Sequence, residues 1–234
     1  MTRPRMIEPS MIEPSTIEPS MTRPLLLGHR GARGLKSIAE NTVESFDRAL
    51  ADGCDGFEFD VRLTADGVPV ICHDPNAGGV EIAQTLAQQM PHLPRLPEVL
   101  TRYKEAFLDI ELKVPGLEAI TADLLRQHEP RRGFVVSSFL PEVLEAVHAE
   151  SSRIPLGLIC EAKAELQRWC RLPVEYVIPH HTLVQQDLIA ELHASGKKAL
   201  VWTVNTAAAI RRFSDWGVDG IISDHTKLLG ASLR

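Results

Sequence analysis

From Leu25 onward, short apolar runs alternate with longer amphipathic stretches. The runs are Leu25–Leu27, Gly56–Val61, Phe107–Leu112, Gly133–Val136, Pro155–Ile159, Glu175–Ile178, Ala199–Val204 and Val218–Ile222. Between them lie helical patterns at Thr42–Ala51, Leu117–His128, Pro141–Ala149, Ala162–Cys170, Gln185–Ala194 and Ala207–Trp216. Strands separated by helices are βαβ units, whose crossovers make the strands parallel. Eight such units predict an α/β fold, a closed (β/α)8 TIM barrel. An open doubly wound sheet competes, but it needs a GxGxxG turn after the first strand. Here GHRGARG puts His29 and Arg30 where backbone would have to approach a phosphate. The apolar piece Val68–Cys72 follows the turn Ala65-Asp66-Gly67 and is expected to be a short extra strand after strand two.

The first twenty residues have a different texture. MIEPS, MIEPS and TIEPS follow one another, and MTRP occurs at Met1 and again at Met21. Proline every fifth residue prevents a helix, and no apolar periodicity offers a face to bury. Residues 1–20 are therefore expected to be a disordered tail and residues 21–234 the functional domain. A start codon assigned too early, with Met21 the true beginning, would explain the tail; a short recognition tail is the alternative.

The chain has 234 residues, and one barrel usually needs roughly 200–250. Lys and Arg number 25 against 31 Asp and Glu, a net charge of −6. An acidic chain does not suit sequence-independent nucleic-acid binding, which needs a dense cationic face. Any anionic substrate must be met by a few placed cations or a metal. No apolar run approaches the roughly 20 residues of a membrane span, and the N-terminus lacks the apolar core of a secretory signal. Cys54, Cys72, Cys160 and Cys170 form no CxxC pair. They are expected to be reduced thiols of a cytoplasmic protein.

In a parallel barrel, residues two apart share a face, and chemistry sits at the carboxyl ends of the strands. In Phe57-Glu58-Phe59-Asp60-Val61 the apolar residues face the helices, so Glu58 and Asp60 point inward together. In Phe107-Leu108-Asp109-Ile110-Glu111-Leu112-Lys113, the residues Asp109, Glu111 and Lys113 point inward. Buried charges are costly unless paired or bound to a metal. Glu58, Asp60 and Glu111 would crowd three negative charges, which a hard divalent cation on oxygen ligands resolves. Ion pairs with Lys113 and Arg62 are the structural alternative. His29 ends the first strand and His73 the extra one, so the two could act as a proton-transferring pair. Arg30 and Lys113 would sit at the mouth, with a fork and a point charge for phosphate oxygens. His180 and His181 end strand six and could rim the site.

These residues resemble the glycerophosphodiester phosphodiesterase family. The match begins at His29-Arg30-Gly31 and continues through Glu40-Asn41-Thr42, Glu58-Phe59-Asp60-Val61, His73-Asp74, Glu111-Leu112-Lys113 and Ser138-Phe139. It ends with Val201-Trp202-Thr203-Val204-Asn205 and Gly217–Asp224. The resemblance implies hydrolysis of glycerophosphodiesters to sn-glycerol 3-phosphate and an alcohol. It implies Glu58, Asp60 and Glu111 as ligands of one divalent cation (Mg²⁺, Ca²⁺ or Mn²⁺), His29 and His73 as acid and base, and Arg30 and Lys113 as phosphate holders. Glu40 would be a further ligand or a support behind the ligands, and Trp202 a wall on the glycerol side. Asn41 would cap the helix beginning at Thr42, and Asp224 would cap or brace the last helix. The chain departs from the family where many members carry a longer insertion after His-Asp. Here His73-Asp74 runs quickly to Leu96-Pro97-Glu98-Val99, leaving room for one helix near Glu81–Gln89 and an open pocket. The alternatives are a lysophospholipase D acting on lysophospholipids and a non-catalytic barrel that binds phosphorylated ligands. The partner is in each case a small molecule; no nucleic acid and no stable membrane insertion are expected.

Overall fold

The computed structural model describes residues 23–233, so the expected tail at residues 1–20 and the alternative start at Met21 lie outside the described residues. The strands are Leu25–Gly28 (β1), Gly56–Leu63 (β2), Pro69–Ile71 (β3), Asn76–Ala77 (β4), Val80–Glu81 (β5), Phe107–Leu112 (β6), Phe134–Ser138 (β7), Leu156–Cys160 (β8), Tyr176–Pro179 (β9), Lys198–Val201 (β10) and Gly220–Ser223 (β11). The helices are Val43–Ala51 (α1), Leu96–Arg102 (α2), Glu118–Gln127 (α3), Pro141–Glu150 (α4), Lys163–Leu166 (α5), Gln186–Ala194 (α6), Ala207–Asp215 (α7) and Thr226–Ser232 (α8). The sheet runs β1-β11-β10-β9-β8-β7-β6-β2, and parallel pairing of β1 with β2 closes it. This is the predicted (β/α)8 barrel. The extra strand β3 pairs antiparallel with β2. No described helix is long and apolar enough to cross a membrane.

Side-chain alternation builds two cores. Outward-facing Phe57 and Phe59 meet Phe46 of α1, whose ring stacks on Phe57 at 4.2 Å. Inside the barrel, Leu27, Phe107, Val135, Tyr176, Leu200 and Ile222 form a separate plug. Gly56 is required beside it, because a Cβ at that position would overlap the Phe107 carbonyl of the next strand. The plug fills the barrel's lower half and leaves room for polar chains only toward the carboxyl ends of the strands.

Two expected helices differ. The stretch Ala162–Cys170 is helical only over Lys163–Leu166, followed by a 3-10 turn at Trp169–Arg171. Neither piece fully buries a residue; Leu166 and Trp169 pack only partly buried on the core, too little to hold a longer helix. The stretch Glu81–Gln89 starts at the last residue of the β4–β5 hairpin and forms two 3-10 turns at Ile82–Gln84 and Ala87–Gln89. Within it only Ile82 and Ala87 are buried, too few to pack a helical face. Arg95 takes the Ala87 and Met90 carbonyls as acceptors and fixes the loop in that form.

Candidate active site

Strand register assembles the acidic cluster. Glu58 lies opposite Asp109, and Asp60 opposite Glu111, on the adjacent strands β2 and β6. Ligand oxygens of Glu58, Asp60 and Glu111 all fall within 4.8 Å of one another, and all three residues are buried. Glu58 Oε1 is buried without a hydrogen-bond partner, and Asp60 Oδ1 has only the Lys113 ammonium beside it, at 3.2 Å. An unpartnered carboxylate oxygen in an all-oxygen cluster of three buried carboxylates fits a hard divalent cation such as Mg²⁺, Ca²⁺ or Mn²⁺. Arg62, the other cation considered, is turned away and donates to the His73 carbonyl at 2.8 Å. Lys113 Nζ lies 2.6 Å from Glu111 Oε1 and 3.2 Å from Asp60 Oδ1, so it neutralises only part of the charge.

The electrostatics bear this out. Burial first, then repulsion from Asp60 and Glu111, raises the Glu58 carboxyl well above its ordinary value. Burial and Asp60 push Glu111 up to about 7, and burial pushes Asp109 up to about 7. Asp60 differs: burial acts against its ionisation, but Lys113 and Arg30 outweigh it and hold Asp60 low. The cation-free folded protein therefore keeps protons on Glu58, Glu111 and Asp109 that the unfolded chain releases above roughly pH 4.5. Folding stability should fall as pH rises from there to about 7, where Glu111 and Asp109 ionise. A cation that binds the ionised cluster reverses this loss. Calorimetric melting of chelator-stripped protein should show a larger Tm gain from Mg²⁺ or Ca²⁺ at about pH 8 than at about pH 5. An equal gain at both would disconnect the cation from these carboxylates.

Around the cluster the chain makes two left-handed bends at non-glycine residues, Arg30 (φ 50°) and Asn41 (φ 57°). The first lets the Arg30 N–H donate to Glu58 Oε2 at 2.9 Å. The Arg30 guanidinium bonds Glu40 at 2.7 Å and lies 3.3 Å from Asp60. Glu40 is not part of the carboxylate cluster; it grips Arg30 and Arg33 from behind. Asn41 is not the helix cap. Thr42, with extended backbone, caps α1 by accepting from the Ser45 N–H, while Asn41 Nδ2 donates to Asp60 Oδ2 at 2.7 Å. The left-handed turn at Asn41 aims its amide at the cluster.

Both histidines are anchored through Nδ1. His29 Nδ1 donates to Asp224 Oδ1 at 2.7 Å, and His73 Nδ1 bonds Asp74 Oδ1 at 2.7 Å. Asp224 is thus a partner of His29 and not a cap of the last helix; His225 stands at that N-cap. The other Asp224 oxygen accepts from Asn205 at 2.7 Å. Burial opposes ionisation of Asp224, yet the bonds from His29 and Asn205 hold it well below the usual carboxylate range. The imidazole of His29 shifts downward because burial outweighs Asp224. Anchoring leaves Nε2 free, 3.8 Å from Glu58 Oε2. Barrel closure brings the two together: β1 pairs with β11 so that Gly28 meets Ser223, and the next residues are His29 and Asp224.

His29, Arg30, Glu58, His73, Glu111 and Lys113 line one cavity of about 310 Å³. Its opposite wall includes Phe139, Trp202 and Glu161. Trp202 Nε1 donates to the Ile178 carbonyl at 2.9 Å, which sets the ring against Phe139 at 5.7 Å. His180 packs on Trp202 at 5.3 Å and buttresses it without lining the cavity. Glu161 is the lining residue that sequence reasoning missed, because it follows an apolar strand and has no patterned neighbour.

The sequence profile of the glycerophosphoryl diester phosphodiesterase family matches residues 29–91 and 83–228. The chain belongs to this family. Its members are phosphoric diester hydrolases, and the resemblance read from the motifs holds along the barrel. A glycerophosphodiester phosphodiesterase of Caldanaerobacter subterraneus is 26% identical over 239 residues, covering 88% of this chain and 96% of that one. A lysophospholipase D of Rattus norvegicus is 23% identical over 265 residues, covering 86% and 84%. A solved phosphodiesterase of Oleispira antarctica, in complex with the product sn-glycerol-3-phosphate, superposes with a TM-score of 0.80 at 26% identity, covering 90% and 97%. The family match includes the strand-end segments that carry His29, Glu58, Asp60, His73 and Glu111.

Proposed function

We propose that this protein hydrolyses glycerophosphodiesters to sn-glycerol 3-phosphate and an alcohol, with a divalent cation held by Glu58, Asp60 and Glu111. The observation that carries it is one cavity lined by Glu58 and Glu111 of the buried three-carboxylate cluster, by Arg30 and Lys113, and by two Nδ1-anchored histidines. When bound, the cation supplies charge neutralisation at the phosphoryl oxygens. Arg30 and Lys113 face the same cavity and hold the remaining negative charge of the phosphodiester. Glu40 and Asp60 fix the Arg30 guanidinium before substrate arrives. Asp224 holds His29 in the tautomer with Nε2 unprotonated, and burial keeps the ring neutral near pH 7. His29 then takes a proton from the attacking water as its oxygen bonds phosphorus, and His73, at the mouth, gives one to the alkoxide that departs as its bond to phosphorus breaks.

Residues 21–234 form the proposed catalytic domain, and the four free thiols support a cytoplasmic location. A chain starting at Met21 should keep its Tm and its turnover; a marked loss of either would give residues 1–20 a role in the barrel. A lysophospholipase D activity is the second reading, favoured by Val80 and Leu86, which are 42% and 40% exposed on the loop after His73. Phosphate-ester release from glycerophosphocholine, glycerophosphoethanolamine and lysophosphatidylcholine, by chelator-stripped protein with Mg²⁺, Ca²⁺ or Mn²⁺ restored, tests both. No release from any substrate with any ion would leave only a ligand-binding barrel.

A further inference from the structure

The cavity has two unlike halves. From β11 through β1 and β2 to β6, the strand ends carry Asp224, His29, Arg30, Glu58, Asp60, Glu111 and Lys113. From β7 through β10 the cavity is lined by Phe139, Ile159, Ile178 and Trp202. One ionisable side chain among the described residues lines that apolar half: Glu161, the first residue after β8. Around the ring β8 stands four strands from β1 in either direction, so Glu161 faces His29 across the cavity. Its main-chain N–H donates to Glu165, but no donor among the described residues engages its own carboxylate.

A phosphodiester held between the carboxylate cluster and Arg30 has two arms. His73 lines the main cavity and also a separate cleft of about 210 Å³, which includes Asn41, Asp74, Asn76 and His92. The arm that leaves must lie near a proton donor, which places the alcohol on the His73 side. The glycerol arm then crosses the apolar half. There it would run along Trp202 and Phe139, which line that half together with Glu161. We propose that Glu161 reads the end of this arm: it accepts a hydrogen bond from the free terminal hydroxyl of an unesterified glycerol and disfavours substrates carrying an acyl chain there. This inference rests on the phosphodiesterase reading above. A charged acceptor is among the stronger hydrogen-bond partners, and a site built around it rejects a substrate that lacks the donor. An acyl chain running past Glu161 would strip water from the carboxylate and return no donor.

The test compares wild type with E161Q and E161L, on glycerophosphocholine and on 1-acyl lysophosphatidylcholine. Glu161 is exposed, so neither variant should disturb the fold. E161L should lose roughly 10–100-fold in kcat/KM on glycerophosphocholine, mainly through KM. Its ratio of lysophosphatidylcholine to glycerophosphocholine activity should rise by a similar factor. E161Q, which keeps an acceptor oxygen, should retain most of the wild-type preference. An unchanged ratio in E161L, or equal losses on both substrates, overturns the proposal. Calorimetric binding of sn-glycerol 3-phosphate against ethyl phosphate, with Mg²⁺ present, gives a readout independent of turnover. Wild type should prefer the glycerol ester and E161L should not; equal binding of both by wild type overturns the proposal. Failure of wild type to turn over either diester, with that binding preference intact, would instead overturn the phosphodiesterase reading alone.

Discussion

His29→Ala and His73→Ala should each lower kcat by roughly 10²–10⁴-fold, the usual span for losing one general acid or base. Divalent-cation affinity should be largely kept, because neither ring belongs to the carboxylate cluster. In phosphodiester hydrolysis the nucleophile loses a proton and the leaving alkoxide gains one. The geometry distributes these tasks unequally. His29 is buried against Asp224, with its pKa lowered by that burial, whereas His73 is partly exposed at the mouth beside Asp74. A neutral His29 is a base, so activity should fall as pH drops through its depressed pKa and the ring becomes protonated. The pH–rate profile should be bell-shaped, with limbs that report the coupled site. A diester with a p-nitrophenol leaving group separates the roles, since that group needs little protonation. His73→Ala should recover much of its rate on this substrate and His29→Ala should not. Equal slowness of both variants on the activated diester would refute the division of labour.

Glu111→Gln should weaken cation binding by at least about 10–100-fold, the range seen for loss of a mere outer partner of a metal ligand. Turnover at limiting cation should drop on the order of 10²-fold. The sign of the stability change makes the experiment diagnostic. In the cation-free protein the substitution removes one of three crowded charges while keeping the side chain's size, so Tm near pH 8 should rise. Lys113 retains Asp60 as a partner at 3.2 Å, so no buried cation is stranded. Isothermal titration with Ca²⁺ or Mg²⁺, alongside melting with and without the ion, checks both signs. Unchanged affinity would remove Glu111 from the ligand set, and a lower cation-free Tm would mean that Glu111 acts chiefly as the partner of Lys113.

Local alternation determined much of this protein. The period of two in Phe57-Glu58-Phe59-Asp60 and in Leu108-Asp109-Ile110-Glu111 states which side chains face helices and which face the barrel axis, and the strand ends bear it out. The count of apolar runs separated by helices was enough for a closed barrel, since right-handed crossovers leave few other arrangements. Tertiary structure decided what depends on closure and on irregular backbone. The bond from His29 to Asp224 spans 195 residues and exists because β1 pairs with β11. No pattern within either strand encodes it. The turn that takes Asn41 off helix-capping duty and onto Asp60 depends on a positive φ that its neighbours impose. The loop after His73 was misread as a helix, because propensity ignores what can be buried; Ile82 and Met90 join Val70 in a small core of their own instead. Glu161 carries no sequence signal at all, because a carboxylate after an apolar strand is ordinary until the ring of strands sets it across the cavity from His29. Inward or outward is a property of one strand and is written in its residues. Which residue meets which across the barrel is a property of how eight strands close, and only the closed barrel decides it.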